Sequence, residues 1–125
     1  MPVPPSRPLS LPHSRHIKQG RDFSRIKAQG RRAVNGCLIA NWLVLAAGAV
    51  SRMAVITPKK IGSAVVRNRA RRLLRESYRL HQNRLTAPVD IVLVARPSIA
   101  GKPFADVERD LLNALRHARL LKPTV

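Results

Sequence analysis

Carboxylates are scarce in this 125-residue sequence, which has 6 Asp and Glu residues against 24 Lys and Arg residues. A catalytic site that holds a metal ion or activates water usually requires such groups. Each acid also has a structural explanation. Asp106, Glu108 and Asp110 belong to a helix start, and Glu76 lies among arginines with which it can pair. Asp90 lies at a strand start, and Asp22 is placed to cap the first helix. The four histidines lack metal-ligand spacing, and no Ser, His and acid pattern suggests a triad. We therefore predict no catalytic and no metal-binding residues in the chain itself.

Cysteine is scarce, and long apolar runs are absent. Cys37 is the single cysteine, which excludes an intramolecular disulfide and a cysteine-based zinc site and favours a small core residue. The longest apolar run, 42–50, is far too short to span a bilayer, and no secretory signal pattern is visible. We therefore expect a soluble cytoplasmic protein without a membrane partner.

Positive charge is what the chain has in excess, with a formal net charge of +18 and a sequence pI near 12.0. Arginine supplies 18 of the 24 basic residues, and its planar guanidinium group can bind phosphate through two parallel hydrogen bonds. A basic helix can also bind a membrane surface, but the apolar residues beside these arginines are not bulky anchors. The composition therefore favours structured nucleic acid as the partner.

The arginines are densest over 67–75, where five occur in nine residues. At about 100° per residue, the helical step, the side chains separate into two faces. One face is polar: Arg67, Asn68, Arg71, Arg72, Arg75 and Arg79. The other is mainly apolar: Val66, Ala70, Leu73, Leu74, Ser77 and Leu80. A single acid, Glu76, accompanies seven arginines over 67–84, so like-charge repulsion favours binding to RNA or DNA over a merely solvated surface.

Aromatic residues are few, with two Phe, one Trp and one Tyr. This is too few for the base-stacking platform of an RNA-recognition sheet, so contacts to the backbone and shape of an RNA should dominate. Phe23, between Arg21 and Arg25, fits a base or sugar contact and fits core packing at least as well. Asn68, among arginines, fits a contact to a sugar or base and equally fits a polar cluster at the helix start.

The hydrophobic periodicity predicts one α+β domain over 14–122, preceded by a disordered Pro-rich leader over 1–13. The predicted helices cover 21–29, 63–85 and 104–121, and the predicted strands cover 31–34, 37–45, 53–57 and 90–95. Gly30 is expected to end the first helix, and Asn35-Gly36 to form a hairpin turn. The order α-β-β-β-α-β-α predicts a two-layer α/β sandwich with helices on a small sheet.

The stretch 59–76 reads KKIGSAVVRNRARRLLRE and closely resembles the signature of the bacterial ribonuclease P protein component. Asp22-Phe23 with Gly30 upstream, and DIVLVARP over 90–97 downstream, support a resemblance that covers nearly all of the chain except the leader. It implies a fold like the second domain of ribosomal protein S5, with a left-handed βαβ crossover.

The resemblance also implies a function, as the protein subunit of ribonuclease P. Such a subunit assists a catalytic RNA in removing the 5′ leader of precursor tRNA by endonucleolytic hydrolysis, and it binds both the RNA subunit and the single-stranded leader. Mg²⁺ would be held mainly by the RNA, and the protein would be a monomer bound 1:1 to that RNA.

By position, the resemblance assigns two sets of site residues. The RNA-binding set is Lys59, Lys60, Arg67, Asn68, Arg69, Arg71, Arg72 and Arg75. The cleft that receives the leader is assigned Phe23, Arg21, Lys27 and Asn41. The family commonly has aromatic residues near the positions of Lys27 and Asn41, while Trp42 would point to the other sheet face. We therefore expect leader binding here to depend more on charge than on stacking.

Two other classes of protein fit parts of the sequence. A structural RNA-binding protein, for instance a ribosomal one, would explain the composition but gives no reason for the extended signature. A nuclease that acts without RNA would need more acids than the chain offers.

Overall fold

The computed structural model describes residues 15–122, and the predicted leader over 1–13 lies outside them. Within this range three α-helices occur: α1 (Gly20–Gln29), α2 (Ala64–His81) and α3 (Phe104–His117). Four strands occur in the same range: β1 (Arg31–Asn35), β2 (Leu38–Val44), β3 (Arg52–Ile56) and β4 (Val89–Ala95). The predicted order α-β-β-β-α-β-α is confirmed. No helix within 15–122 combines the length and the apolarity that crossing a bilayer requires.

The second and third helices end earlier than predicted. α2 stops at His81, and a 3₁₀ turn, Gln82–Arg84, follows it. α3 stops at His117 because Arg119 adopts a left-handed backbone conformation with φ of 61°, which an α-helix cannot continue.

The four strands form one sheet in the order β1-β2-β4-β3. β1 and β4 both pair antiparallel with β2, whereas β3 pairs parallel with β4, and α2 is the crossover between these parallel strands. The β1–β2 hairpin turns at Gly36, whose φ of 54° favours glycine. The adjacent Cys37 N–H donates to Asp110 Oδ2 at 3.0 Å and so ties the hairpin to α3. Cys37 is a core residue, as predicted, and burial raises the pKa of its thiol to about 12.

Most of the core lies between one face of the sheet and the helices α2 and α3. Alternate residues of β2 and β4 are buried on this face: Leu38, Ala40, Trp42, Val89, Ile91, Leu93 and Ala95. The helices contribute Ala70, Leu74, Tyr78, Val107, Leu111, Ala114 and Leu115. The sheet and these two helices are therefore the two main layers of the predicted sandwich.

α1 lies on the other face of the sheet and covers part of it. Ile26 of α1 is buried together with Ile17, Ala54 and Val92, and Phe23 packs at the edge of this smaller cluster. Because α1 has only 10 residues, side chains elsewhere on this face stay exposed. We call the part that α1 leaves uncovered the open face.

Candidate nucleic-acid interface

The segment before α2 brings two lysines to the start of that helix. Lys59 and Lys60 are exposed in a 3₁₀ turn, which the buried Ile61 anchors to the core. Ser63 then caps α2, and its hydroxyl accepts from the Val66 N–H at 3.4 Å. The two lysines therefore lie next to the first arginines of the helix.

α2 separates its side chains largely as the periodicity predicts. The buried positions are Ala70, Leu74, Ser77 and Tyr78. On the basic side, Asn68, Arg69, Arg72 and Arg75 are exposed and Arg67 and Arg71 are half-buried. Val66, Leu73 and Leu80 are only half-buried, so the core-facing stripe is narrower than predicted. We call the following residues the arginine face: Lys59, Lys60, Arg67, Asn68, Arg69, Arg71, Arg72 and Arg75.

Two hydrogen bonds hold Arg71 in place on the arginine face. Its Nη1 donates to Asn68 Oδ1 at 2.8 Å, and its Nη2 donates to Thr57 Oγ1 at 2.7 Å. Such contacts restrict a long side chain before binding and so reduce the entropy lost when it meets a ligand. The bond to Asn68 agrees with the polar-cluster interpretation of that residue. Thr57 is a contributor that the sequence did not single out.

Glu76 neutralises one neighbouring arginine and leaves the others without an anion. Its carboxylate accepts from Arg79 Nε and Nη2 at 2.8 and 2.7 Å. These bonds lower the pKa of Glu76 and raise the pKa of Arg79. No carboxylate of residues 15–122 lies within ion-pair distance of the remaining arginines of this helix: Arg67, Arg69, Arg71, Arg72 and Arg75.

The open face of the sheet carries a row of aliphatic side chains and a row that includes an arginine. The strand register aligns the first row across all four strands: Val34, Ile39, Val94 and Ile56. The second row, nearer α1, begins with Arg32 and Asn41 on the open face and continues under α1 with Val92 and Ala54. Val34 is 51% exposed and Ile56 is 40% exposed, so the first row offers apolar surface to a ligand.

The leader-cleft residues assigned by the resemblance lie on this side of the molecule. Phe23 is half-buried at the border of the open face, and Asn41 lies within it. Trp42 is buried on the opposite face, as the strand alternation predicts. Arg21 and Lys27 are exposed on α1.

A group of ion pairs joins α1 to the sheet. Arg52 of β3 donates from Nε and Nη2 to the two carboxylate oxygens of Asp90 at 3.0 and 2.7 Å, and Asp90, beside it on β4, is fully buried. From α1, Arg25 Nη2 lies 3.3 Å from Asp90 Oδ2, and Asp22 Oδ1 lies 3.4 Å from Arg52 Nη2. The hydrogen bonds to Asp90 raise the pKa of Arg52. We call these four residues the ion cluster; it fixes α1 against one side of the open face.

The ion cluster corrects one interpretation of the acids and agrees with another. Asp22 does not cap α1, because Gln19 occupies the cap position and Asp22 pairs with arginines instead. Asp90, predicted at a strand start, is the second residue of β4, which begins at Val89. The signal for the ion pair between Arg52 and Asp90 was their position, since both lie near the starts of strands and these two strands pair in parallel.

The remaining acids are also engaged within the chain. Asp106 and Asp110 lie 3.6 and 3.7 Å from Arg109, and Glu108 Oε2 lies 2.9 Å from His81 Nε2. Over residues 15–122, no group of three or more His, Cys, Asp or Glu side chains is arranged to hold a metal ion.

Comparisons with known proteins agree with these features. Residues 11–119 match the protein-family model described as Ribonuclease P. A ribonuclease P protein component from Alkaliphilus metalliredigens is 33% identical over 105 residues, which cover 84% of this chain and 94% of that protein. Structures of the RNase P proteins of Staphylococcus aureus and Thermotoga maritima align with TM-scores of 0.78 and 0.72 at 25% and 26% identity. These alignments cover 86% and 82% of this chain and 98% and 96% of the respective structures.

Replacing Asp90 with asparagine tests the ion cluster. Asp90→Asn keeps the size of the side chain but removes the buried anion that Arg52 and Arg25 share. We expect the free energy of unfolding to fall by about 2 kcal/mol, less than for a fully buried pair, because the Arg52 side chain is partly exposed. Urea denaturation measures the change. Asp106→Asn, which removes a surface pair with Arg109, is the control and should cost less than about 0.5 kcal/mol; equal losses would contradict the role of the cluster.

Proposed function

The chain belongs to the bacterial ribonuclease P protein family, and from that membership we propose that it is the protein subunit of a ribonucleoprotein endonuclease. The partner RNA catalyses hydrolytic removal of the 5′ leader of precursor tRNA, and the protein binds and positions RNA. The observation that carries this proposal is the arginine face, whose arginines no carboxylate of residues 15–122 neutralises. Such a surface repels itself in isolation and is stabilised by RNA phosphates.

In this proposal the arginine face binds the catalytic RNA and the adjoining part of the substrate. Arg71, which Asn68 and Thr57 already orient, is suited to a phosphate with little further ordering. Because α2 presents guanidinium groups and no aromatic ring on this side, the contacts are mainly to the RNA backbone. The protein therefore neutralises charge and supports RNA folding more than it reads sequence.

The open face of the sheet receives the single-stranded leader. Its aliphatic row supplies apolar surface for bases, and Arg32 supplies charge for a phosphate. Arg21 and Lys27 of α1 add charge beside it, and Phe23 adds one aromatic ring at the border. With Asn41 in the middle of the second row, leader binding depends on charge and aliphatic contact more than on stacking.

Magnesium is assigned mainly to the RNA. A magnesium site in a protein needs free carboxylate oxygens, and the acids of this chain are engaged with arginine, histidine or backbone groups. The residues present therefore do not fit a magnesium site, and no side chain is assigned a catalytic role. One monomer per RNA is the proposed stoichiometry, because a single copy of α2 supplies all the arginines of the arginine face.

Reconstitution tests the proposed function. Precursor tRNA is incubated with the protein, with a bacterial ribonuclease P RNA transcript, and with both, at low magnesium concentration. We expect efficient release of the leader only with both, because the protein then supplies positive charge that magnesium would otherwise supply. Cleavage by the protein alone would indicate an independent nuclease. Binding of the RNA without any gain in cleavage would indicate a merely structural RNA-binding protein.

Two neighbouring arginines of β1 test the leader site. Arg32 and Arg31 are both exposed, but successive residues of a strand face opposite sides, and Arg32 is the one on the open face. We expect Arg32→Ala to weaken binding of precursor tRNA to the protein–RNA complex about fivefold relative to mature tRNA, or about 1 kcal/mol for one lost contact. Arg31→Ala should leave this ratio unchanged. If both variants alter the ratio of the two affinities equally, or if neither alters it, the result contradicts a leader site on the open face.

A further inference from the structure

A second group of basic residues lies at the end of α3 and on the segments that follow α2 and α3, which run side by side. We call it the distal patch; its members are Arg84, Arg116, Arg119 and Lys122. The Lys122 N–H donates to the Arg84 carbonyl at 2.7 Å, and the Arg119 N–H donates to the Arg116 carbonyl at 3.0 Å. The Thr86 hydroxyl donates to the Arg119 carbonyl at 3.1 Å and joins the two segments. The backbone therefore brings the four residues onto adjoining segments.

Arg119 occupies a backbone position that favours glycine. α3 ends in a Schellman motif, in which the Leu120 N–H donates to the Leu115 carbonyl at 2.9 Å. The residue before Leu120 in this motif is left-handed, and Arg119, with φ of 61°, is the one non-glycine residue of positive φ within 15–122. A Cβ makes this conformation unfavourable. The backbone conformation of the helix end therefore disfavours an arginine here, and an unfavourable residue at a fixed point indicates a role for its side chain.

The distal patch has no acidic counterpart in the described part of the chain. No carboxylate of residues 15–122 lies within ion-pair distance of any of its four cations. Arg116, Arg119 and Lys122 are exposed, and Arg116 is oriented by a neutral neighbour, donating from Nη1 to Asn113 Oδ1 at 3.0 Å. Like charges on adjoining segments repel one another and favour an anionic partner.

We propose that the distal patch is a second RNA-binding surface, which contacts phosphates separate from those at the arginine face. Arginine supplies three of its four cations, and the guanidinium fork matches phosphate geometry. A helix rises about 1.5 Å per residue, so Arg84, just beyond the end of α2, lies about 14 Å along the helix axis from Arg75, the nearest arginine of the arginine face, and about 25 Å from Arg67. Two basic surfaces at this spacing bind different segments of one large RNA, and the second contact is then intramolecular. The inference rests on the proposed function for the identity of that RNA.

Arg119→Gly separates a binding role from a structural one, because the two roles predict opposite effects. Glycine removes the charge and also relieves the left-handed backbone, so the Tm of the full chain should rise by about 4 °C. The affinity for a bacterial ribonuclease P RNA transcript should fall about threefold. The slope of log affinity against log salt concentration should decrease in magnitude by about one. Thermal denaturation and filter binding over a salt series measure these effects.

Two further variants serve as controls. Arg119→Lys keeps the charge and should retain most of the affinity. Arg109→Ala removes from α3 a charge that already lies 3.6 Å from Asp106 and 3.7 Å from Asp110, and it should leave the salt slope unchanged. Wild-type affinity and salt slope in Arg119→Gly would overturn the distal patch as an RNA-binding surface. Failure of the distal patch leaves the proposed function intact if the wild-type chain, mixed with the same RNA, supports cleavage of precursor tRNA. If the wild-type chain does not support cleavage with that RNA, the proposed function itself is overturned.

Discussion

This protein has six carboxylates and 24 basic residues. The partners that the carboxylates bind determine which positive charges remain for a ligand. Asp22 and Asp90 bind Arg52 between α1 and the sheet, and Asp110 accepts from the backbone N–H of Cys37 at the hairpin. These acids stabilise contacts between elements, so they are not available to the basic side of α2. The free protein therefore carries a repulsion that a polyanion relieves, and RNA binding should stabilise the fold.

The fold produces two surfaces of different composition, one basic and one mainly aliphatic. α2 buries Leu74 and Tyr78 against one face of the sheet and leaves its arginines on the outside. α1 is held on the other face by the ion cluster, where it borders an aliphatic row with Arg32 beside it. Structured RNA, which offers dense phosphate, suits the first surface. A single strand, which exposes bases as well as phosphates, suits the second.

Features that depend on local periodicity could be predicted from the sequence, and features that depend on tertiary packing could not. The buried side of α2, and the opposite orientation of Trp42 and Asn41, follow from the helical and strand repeats. The ion cluster escaped prediction because Arg25 and Asp90, 65 residues apart, meet only when α1 packs on β4. The role of Thr57 could not be predicted either, because Thr57 reaches the arginine face only once β3 lies beside α2.

The arginine face is assigned to RNA phosphates, and the salt dependence of RNA affinity tests this assignment most directly. The affinity for a bacterial ribonuclease P RNA transcript is measured over a salt series for the wild-type chain and for the double variant Arg67→Ala, Arg71→Ala. The slope of log affinity against log salt concentration should decrease in magnitude by about two, because each lost phosphate contact removes about one unit. An unchanged slope in a folded double variant would show that the phosphates bind elsewhere.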